Sequence, residues 1–114
     1  SLNQMVQYNA QSLDLIFHSL ADVTRRDILR RVIQSELNIS DLAKDYDISF
    51  SAVAKHLRVL EKAKLIIKKR RGKEKVIVAN PETINEAARQ LEQYKRFINQ
   101  RFDALDELLG GANE

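Results

Sequence analysis

The run I-S-F-S-A-V-A-K-H-L-R-V-L-E-K-A-K, residues 48–64, is the feature that most constrains the fold of this chain. Ser49 has a hydroxyl that can accept from free backbone N–H groups, so it predicts a helix start. At about 100° per residue, three apolar side chains share one stripe of that helix and four polar or basic ones share the opposite stripe. The apolar stripe is Val53, Leu57 and Leu60; the other is Ser51, Lys55, Arg58 and Lys62.

Two interpretations fit a helix with an apolar back and a small, then basic, front. Such a front suits the DNA major groove, where small side chains allow close approach and Arg or Lys reaches guanine edges or phosphates. An ordinary solvated amphipathic helix also carries charge on its outer face, and taken alone this is the more common case. The flanking segments favour the DNA-binding interpretation.

The segment before this helix, residues 37–46, predicts a short helix capped by Ser40, with Leu42, Ala43 and also Tyr46 turned inward. A turn over residues 45–49 then leads into the longer helix. A short helix, a tight turn and a longer helix with a basic front form the helix-turn-helix pattern.

The segment after the helix predicts a β-hairpin. Residues 65–71 and 73–79 are rich in β-branched and basic side chains. Gly72 between them tolerates a positive φ at the turn, and six cations crowd the strand ends around it. A helix-turn-helix followed by a basic hairpin is a winged helix.

Residues 49–66 closely resemble the recognition segment of the ArsR/SmtB family of bacterial repressors, usually written S-x-S-A-V-S-K-H-L-x-x-L-x-x-A-G-L-[IV]. Residues 18–29, H-S-L-A-D-V-T-R-R-D-I-L, resemble a second family motif, L-[AG]-[DN]-P-T-R-x-x-I-L. With the wing, the resemblance covers about residues 15–80. It implies a mostly α winged helix-turn-helix with a small β-hairpin wing, acting as a DNA-binding transcriptional repressor.

The 114 residues suit one domain, with a core over about residues 11–80 and a long helix over 81–109.

The charge distribution agrees with a DNA partner. Residues 51–75 carry ten basic and two acidic side chains, whereas the segments on either side are both net acidic. Such a concentrated field is typical of a polyanion-binding face.

The expected DNA contacts lie on the long helix and the wing. Ser51 and Lys55 should touch bases or nearby backbone, and Phe50 offers its ring to a thymine methyl. His56 lies near the apolar stripe by angle, so a phosphate contact and a packing role are both open. The predicted DNA-binding residues are Ser40, Ser49, Phe50, Ser51, Ala54, Lys55, His56, Arg58, Arg70, Arg71, Lys73 and Lys75.

Two helices are predicted before the motif. The first has Leu13, Ile16, Phe17 and Leu20 at helical spacing, and Leu2, Met5 and Val6 extend its stripe backwards. Asp22 should cap the second. Its predicted inner face is Ile28, Leu29, Val32 and Ile33, and its arginines either pair with Asp22 and Asp27 or touch phosphate.

Asn80 should be the N-cap of the last helix, with Pro81 at its first position, and the helix should end at Gly110-Gly111. Its apolar residues repeat every seven positions, which favours a helical partner over two shorter helices folded on one core. In the family, the first and last helices form a homodimer, so the resemblance implies an inverted-repeat operator. The predicted dimer residues are Leu13, Phe17, Leu91, Tyr94, Ile98, Phe102 and Leu105.

Several function classes are disfavoured. The chain has no cysteine, no apolar run near 20 residues and no signal-peptide pattern, so we expect a cytoplasmic protein without disulfides or a membrane span. Metal-sensing relatives carry E-L-C-V-C-D where this chain has E-L-N-I-S-D, and the last helix has no His. The resemblance is therefore to the metal-independent branch, with no cofactor.

Other activities remain as alternatives. The sequence shows no recognisable set of catalytic residues, so an enzyme is disfavoured. A winged helix that binds protein is the main competitor, an RNA-binding one is weaker, and a regulator that needs an unidentified small effector is a further possibility.

Overall fold

A computed structural model describes residues 2–113, and the side chains of residues 11–110. The predicted extension of the first stripe to Leu2, Met5 and Val6 lies outside the described side chains. The helices are α1 (Leu2–Leu20), α2 (Val23–Gln34), α3 (Ile39–Lys44), α4 (Phe50–Lys62) and α5 (Pro81–Asn113), and the strands are β1 (Leu37–Asn38), β2 (Ile66–Arg71) and β3 (Glu74–Ala79). This order confirms the predicted mostly α winged helix-turn-helix class.

The chain divides into two compact units, Ser1–Ile84 and Asn85–Glu114, with the boundary inside α5. In the first unit, the strands form an antiparallel sheet in the order β1-β3-β2. Arg71 pairs with Glu74, so β2 and β3 are joined by a two-residue loop whose first residue, Gly72, has φ +63°. A glycine at that position matches the right-handed twist of the flanking strands. The predicted hairpin is confirmed.

The third strand was not predicted. Leu37 and Asn38 were expected to lead into the short helix ahead of its predicted cap, Ser40, but they form a strand that pairs with Ile77 and Val76. Asn38 then caps α3 by accepting a 3.2 Å hydrogen bond from the Asp41 N–H. Ser40 is therefore the second residue of α3, and the prediction that it caps this helix is wrong. The helix starts earlier because Asn38 leaves the strand with extended backbone geometry.

Two of the other predicted caps, those of α2 and α4, are confirmed by side-chain hydrogen bonds. Asp22 accepts a 3.0 Å hydrogen bond from the Arg25 N–H, and Ser49 accepts one of 3.1 Å from the Ala52 N–H. Each satisfies one of the backbone donors that a helix leaves free in its first turn. These caps fix where α2 and α4 begin.

The core of the first unit forms around the sheet and the inner faces of α2 and α4. Of the predicted inner face of α2, Ile28, Leu29 and Val32 are buried, but Ile33 is 53% exposed. Ile33 lies about 90° around the helix from the centre of that face, which explains the error. The buried apolar side chains here are Ile16, Ile28, Leu29, Val32, Leu42, Val53, Leu57, Leu60, Ala63, Leu65, Ile66, Val76 and Ile77.

Helix α4 ends in a Schellman motif. The Leu65 N–H donates to the Leu60 carbonyl at 3.1 Å and the Lys64 N–H to the Glu61 carbonyl at 2.9 Å. Leu60 and Leu65 are both buried, and an apolar pair at these positions frequently accompanies this motif. Lys64 occupies the left-handed position with φ +62°, a conformation that favours glycine over other residues.

Helix α5 starts at Pro81, as predicted. The Asn80 carbonyl accepts from the Ile84 N–H at 3.1 Å, and the Asn80 side-chain amide donates to the Lys64 carbonyl at 2.9 Å. The helix does not end at Gly110-Gly111 but continues to Asn113, so that prediction is wrong. Glycine inside a helix costs only about 1 kcal/mol relative to alanine, too little to stop a long helix.

Helix α5 is a single helix, not the two shorter helices that were the alternative to a long helix with a partner.

None of the helices among the described residues is long and apolar enough to cross a membrane.

Candidate nucleic-acid interface

The outer face of α4 is open to solvent, as the sequence predicts. Ser51, Lys55, Arg58 and Lys62 are exposed, whereas Val53, Leu57 and Leu60 on the opposite face are at most 1% exposed. The hydroxyls of Ser49 and Ser51 lie 3.2 Å apart at the start of the helix, and Ala54 is half-buried. The buried face packs in the core and holds α4 in place, so the polar and basic face has a defined position on the surface.

The start of α4 lies beside the wing tip. Phe50, the first residue of α4, is 60% exposed and lines a groove of about 340 Å³ together with the first turn of α3. The groove is lined by Asn38, Ile39, Ser40, Asp41, Phe50, Lys73, Glu74 and Lys75. Four predicted DNA-binding residues are thus brought together from three segments of the chain: Ser40, Phe50, Lys73 and Lys75.

The wing has two electrostatically different faces. Arg70 pairs across the hairpin with Lys75, so two cations stand directly opposite each other on one face. Such like-charged cross-strand pairs are destabilising unless an anion is bound nearby. On the other face, Arg71 stands opposite Glu74, and its Nη2 lies 3.0 Å from Oε1 of Glu36.

The other basic side chains also differ in whether an acidic side chain pairs with them. Lys68 Nζ lies 3.9 Å from Oε1 of Glu61 at the base of the hairpin. Within residues 11–110, no salt bridge reaches Lys55, Arg58, Arg70, Lys73 or Lys75. These five cations are therefore available to an anionic partner, whereas Arg71 must share its charge with Glu36.

His56 faces helix α2. Its Nδ1 lies 3.3 Å from Nη1 of Arg25 and 3.8 Å from Oδ2 of Asp22, and its side chain is 21% exposed. This position favours packing over a phosphate contact, the two roles left open by the sequence. The Arg25 backbone N–H lowers the pKa of Asp22, with a further contribution from the nearby His56.

Two arginines of α2 donate hydrogen bonds to the last backbone carbonyls of α1. Arg25 donates from Nε to the Ser19 carbonyl at 2.7 Å and from Nη2 to the His18 carbonyl at 3.0 Å. Arg26 donates from Nη1 to the Leu20 carbonyl at 2.7 Å. The last carbonyls of a helix lack partners within it, so these side chains satisfy them. Arg25 and Arg26 thus have structural roles that the sequence left undecided.

A polar network between α2 and the α3–α4 turn was not found from the sequence. The Tyr46 hydroxyl donates to Oδ2 of Asp27 at 2.6 Å and accepts from Nη1 of Arg31 at 3.3 Å. Arg31 Nη2 also donates to Oδ2 of Asp45 at 2.7 Å, and its Cζ lies 5.7 Å from the Tyr46 ring centre. The spacing of Asp27 and Arg31, one helical turn apart, was the only available signal.

The pKa values of this network reflect its hydrogen bonds. Burial raises the pKa of Tyr46, and the hydrogen bond to Asp27 adds to that shift. The same hydrogen bond is the main cause of the lowered pKa of Asp27, followed by that from Arg30. Asp27 therefore stays ionised as the acceptor of two side-chain donors.

The residues predicted to form a dimer are only partly covered. Leu13 is half-buried and Phe17 is 37% exposed in α1. In α5, the five predicted residues are 37–59% exposed: Leu91, Tyr94, Ile98, Phe102 and Leu105.

Among the side chains that are described, no three or more His, Asp or Glu residues are grouped so as to hold a metal ion.

Comparisons with known proteins agree with this arrangement. The family model for bacterial regulatory proteins of the arsR family matches residues 22–68. YuzN of Bacillus subtilis, an uncharacterised HTH-type transcriptional regulator, is 42% identical over 62% of this chain and 85% of its own.

Two solved structures extend the likeness to the fold. An ArsR-like transcriptional regulator from Rhodococcus sp. RHA1 is 29% identical, with a TM-score of 0.72 over 88% of this chain and 94% of its own. Mb0332 of Mycobacterium bovis is described as a homodimeric winged helix-turn-helix DNA-binding domain and a possible ArsR-family regulator. It covers 85% of this chain and 87% of its own at a TM-score of 0.63, and at 16% identity it shows the fold alone.

Proposed function

The chain belongs to the arsR family of bacterial transcriptional regulators, and from that premise we propose that it is a homodimeric repressor of an inverted-repeat operator. Helix α4 lies in the major groove and the wing follows the adjacent backbone or minor groove. Lys55 and Ser51 read the sequence, and the wing cations supply affinity and salt dependence.

The observation that carries the proposal is a group of cations beside the exposed start of α4 that no salt bridge reaches within residues 11–110. Arg70 and Lys75 oppose each other on one face of the wing, and Lys73 and Lys75 line a groove with Phe50. A cationic pair of this kind is stabilised by an anion, and a phosphate backbone supplies one at every nucleotide. The adjacent α4 face carries small and basic side chains that fit the groove next to that backbone.

The dimer is proposed from α5. Its exposed apolar residues need a cover outside their own helix, and the M. bovis neighbour is described as homodimeric. A two-fold axis would place two α4 helices at half-sites about one helical turn of DNA apart. A cytoplasmic location, independence of metals and a role outside catalysis are part of the same proposal.

The test is a selection of bound duplexes from a random DNA pool at near-physiological salt, with the mass of the protein in solution measured in parallel. We expect enrichment of an inverted repeat bound by a dimer. Failure to enrich any sequence would contradict the proposal and favour a protein-binding or effector-dependent role.

Two neighbouring arginines of the wing provide a matched pair of variants. Arg70→Ala should weaken all duplexes alike and reduce the salt slope by about one per protomer, because no acidic side chain within residues 11–110 forms a salt bridge with Arg70. Arg71→Ala should weaken binding less, since Glu36 already neutralises that side chain. Affinities measured across a salt series check both; equal effects would contradict this division of the wing.

A variant of α4 separates sequence reading from charge. Lys55→Ala should change which bases are preferred at one position of each half-site, with discrimination falling by about 1–3 kcal/mol. A repeated selection with this variant reports the change. A uniform loss over all sequences would show that Lys55 contacts phosphate instead.

A further inference from the structure

The turn between α3 and α4 is fastened to α2 at two successive residues. Asp45 binds Arg31 at 2.7 Å and Tyr46 binds Asp27 at 2.6 Å. Asp27 and Arg31 are one helical turn apart, so the two anchors lie along the same edge of α2. Asp47 and Ile48, which follow in the turn, are exposed. The side-chain anchors of the turn are therefore concentrated at its first two residues.

Tyr46 is the centre of this network. Its hydroxyl is both donor and acceptor, and its ring lies under the Arg31 guanidinium. A hydrogen bond to a carboxylate is stronger than one between neutral groups, and partial burial strengthens it further. The Tyr46 hydroxyl joins the Asp27 carboxylate to the Arg31 guanidinium, so its loss removes the central link between α2 and the turn.

The turn in turn sets the start of α4. Ser49, only three residues after Tyr46, is the N-cap whose hydroxyl and carbonyl accept from the first amides of that helix. Base readout requires side chains to be held within a fraction of an ångström, whereas phosphate contacts tolerate small shifts of a charged side chain. A loosened turn would therefore affect sequence discrimination before it affects general DNA binding.

We infer that Tyr46 is a positioning residue for operator recognition: its hydroxyl, held between Asp27 and Arg31, sets the angle at which α4 leaves the turn. This inference rests on the proposed function, because it concerns how the same α4 face reads DNA. Tyr46 itself does not need to touch the duplex.

The test compares Tyr46→Phe with Arg30→Gln. Arg30→Gln removes the other side-chain bond to Asp27, a 2.7 Å pair within α2 that does not involve the turn. Each variant is titrated with the selected operator and with a scrambled duplex of equal length. For Tyr46→Phe we expect the ratio of the two affinities to fall about tenfold, with little change for the scrambled duplex. Arg30→Gln should keep the wild-type ratio.

A second measurement reads the positioning without DNA. The Ala52 and Val53 amides donate to the Ser49 hydroxyl and carbonyl at the start of α4, whereas the Leu65 amide donates to Leu60 at its far end. In Tyr46→Phe, hydrogen exchange at Ala52 and Val53 should accelerate about tenfold, with the exchange of Leu65 unchanged. Equal acceleration at all three amides would indicate a general loss of stability and overturn the inference.

The two measurements keep the inference separate from the proposed function. An unchanged affinity ratio in Tyr46→Phe overturns the inference and leaves the repressor proposal intact. A pool without any enriched duplex contradicts the repressor proposal itself, and the exchange rates then decide by themselves whether Tyr46 sets the start of α4.

Discussion

Helices α4 and α5 have the same kind of amphipathic pattern, but their apolar faces have different surroundings. The stripe of α4 is at most 1% exposed, whereas Leu91, Ile98 and Leu105 of α5 are 37–52% exposed. Periodicity identifies the residues of a helix that favour burial; it does not identify what covers them. For α4 the cover is the core of its own unit, and for α5 we propose a second copy of the chain.

The comparison extends to how each helix is delimited. Helix α4 begins after a serine cap and ends at Lys62, and the left-handed residue of the motif that follows is Lys64 instead of the usual glycine. Helix α5 passes through Gly110 and Gly111 without a break. Where a helix stops therefore depends on the hydrogen bonds and burial of the next residues, and not on residue type alone.

The largest expected effect is on the buried side of the comparison. Leu57→Ala removes a side chain that is 1% exposed and should cost about 2–5 kcal/mol of unfolding free energy through lost burial and a cavity. Leu108→Ala, at a position of α5 that is 74% exposed, should stay within about 0.5 kcal/mol. Urea unfolding at one fixed protomer concentration measures both. A large loss for Leu108→Ala would mean that the proposed partner covers it too.

The next effect concerns the exposed side. Phe102→Glu places a charge in the proposed interface and should convert the dimer to a monomer, because burying an unpaired charge is costly. The operator affinity should then fall about a hundredfold or more, since the two half-sites are no longer bound by one linked molecule. Sedimentation velocity and operator titration check the two parts.

Gln100→Glu is the matched control for that prediction. It adds the same charge to the same helix, about 160° around from Phe102. This variant should remain dimeric and bind the operator like the wild type. A monomeric wild-type protein at micromolar concentration would contradict the proposed interface outright.

Local signals in the sequence were enough to predict much of the first unit. Asp22 and Ser49 were identified as caps because a cap depends on residues within the same turn. The buried stripe of α4 and the hairpin around Gly72 follow from periodicity and turn chemistry, which are also local. The open α4 face was therefore predicted correctly, down to the exposure of Lys55 and Arg58.

Contacts between distant segments could not be predicted. Strand β1 has only two residues, too few for a period, and forms because β3 offers it a partner. Because this strand ends at Asn38, the cap of α3 is Asn38 and not Ser40, the residue predicted from the sequence. The ion pair of Arg71 with Glu36 joins residues 35 positions apart, so the sequence grouped Arg71 with the free cations of the wing. Tyr46 was expected to turn inward, but its hydrogen bonds to Asp27 and Arg31 were missed for the same reason.

The smallest expected effect tests the end of α4. Lys64 has φ +62° and stands where the ArsR/SmtB pattern has glycine. Left-handed backbone costs a residue with a Cβ about 1–2 kcal/mol, part of which glycine loses again through its more flexible unfolded state. Lys64→Gly should therefore stabilise the protein by up to about 1 kcal/mol, measured as a higher urea midpoint.

Lys62→Gly, two residues earlier, makes this prediction sharper. It removes the same charge near the same helix end, but Lys62 lies within α4, where glycine should destabilise by about 1 kcal/mol relative to a good helix former. The two variants should thus shift the midpoint in opposite directions. A loss of stability in both would mean that the Lys64 side chain contributes more than its backbone strain costs. The side chain at the end of α4 would then influence stability more than expected from α5, in which Gly110 and Gly111 do not end the helix.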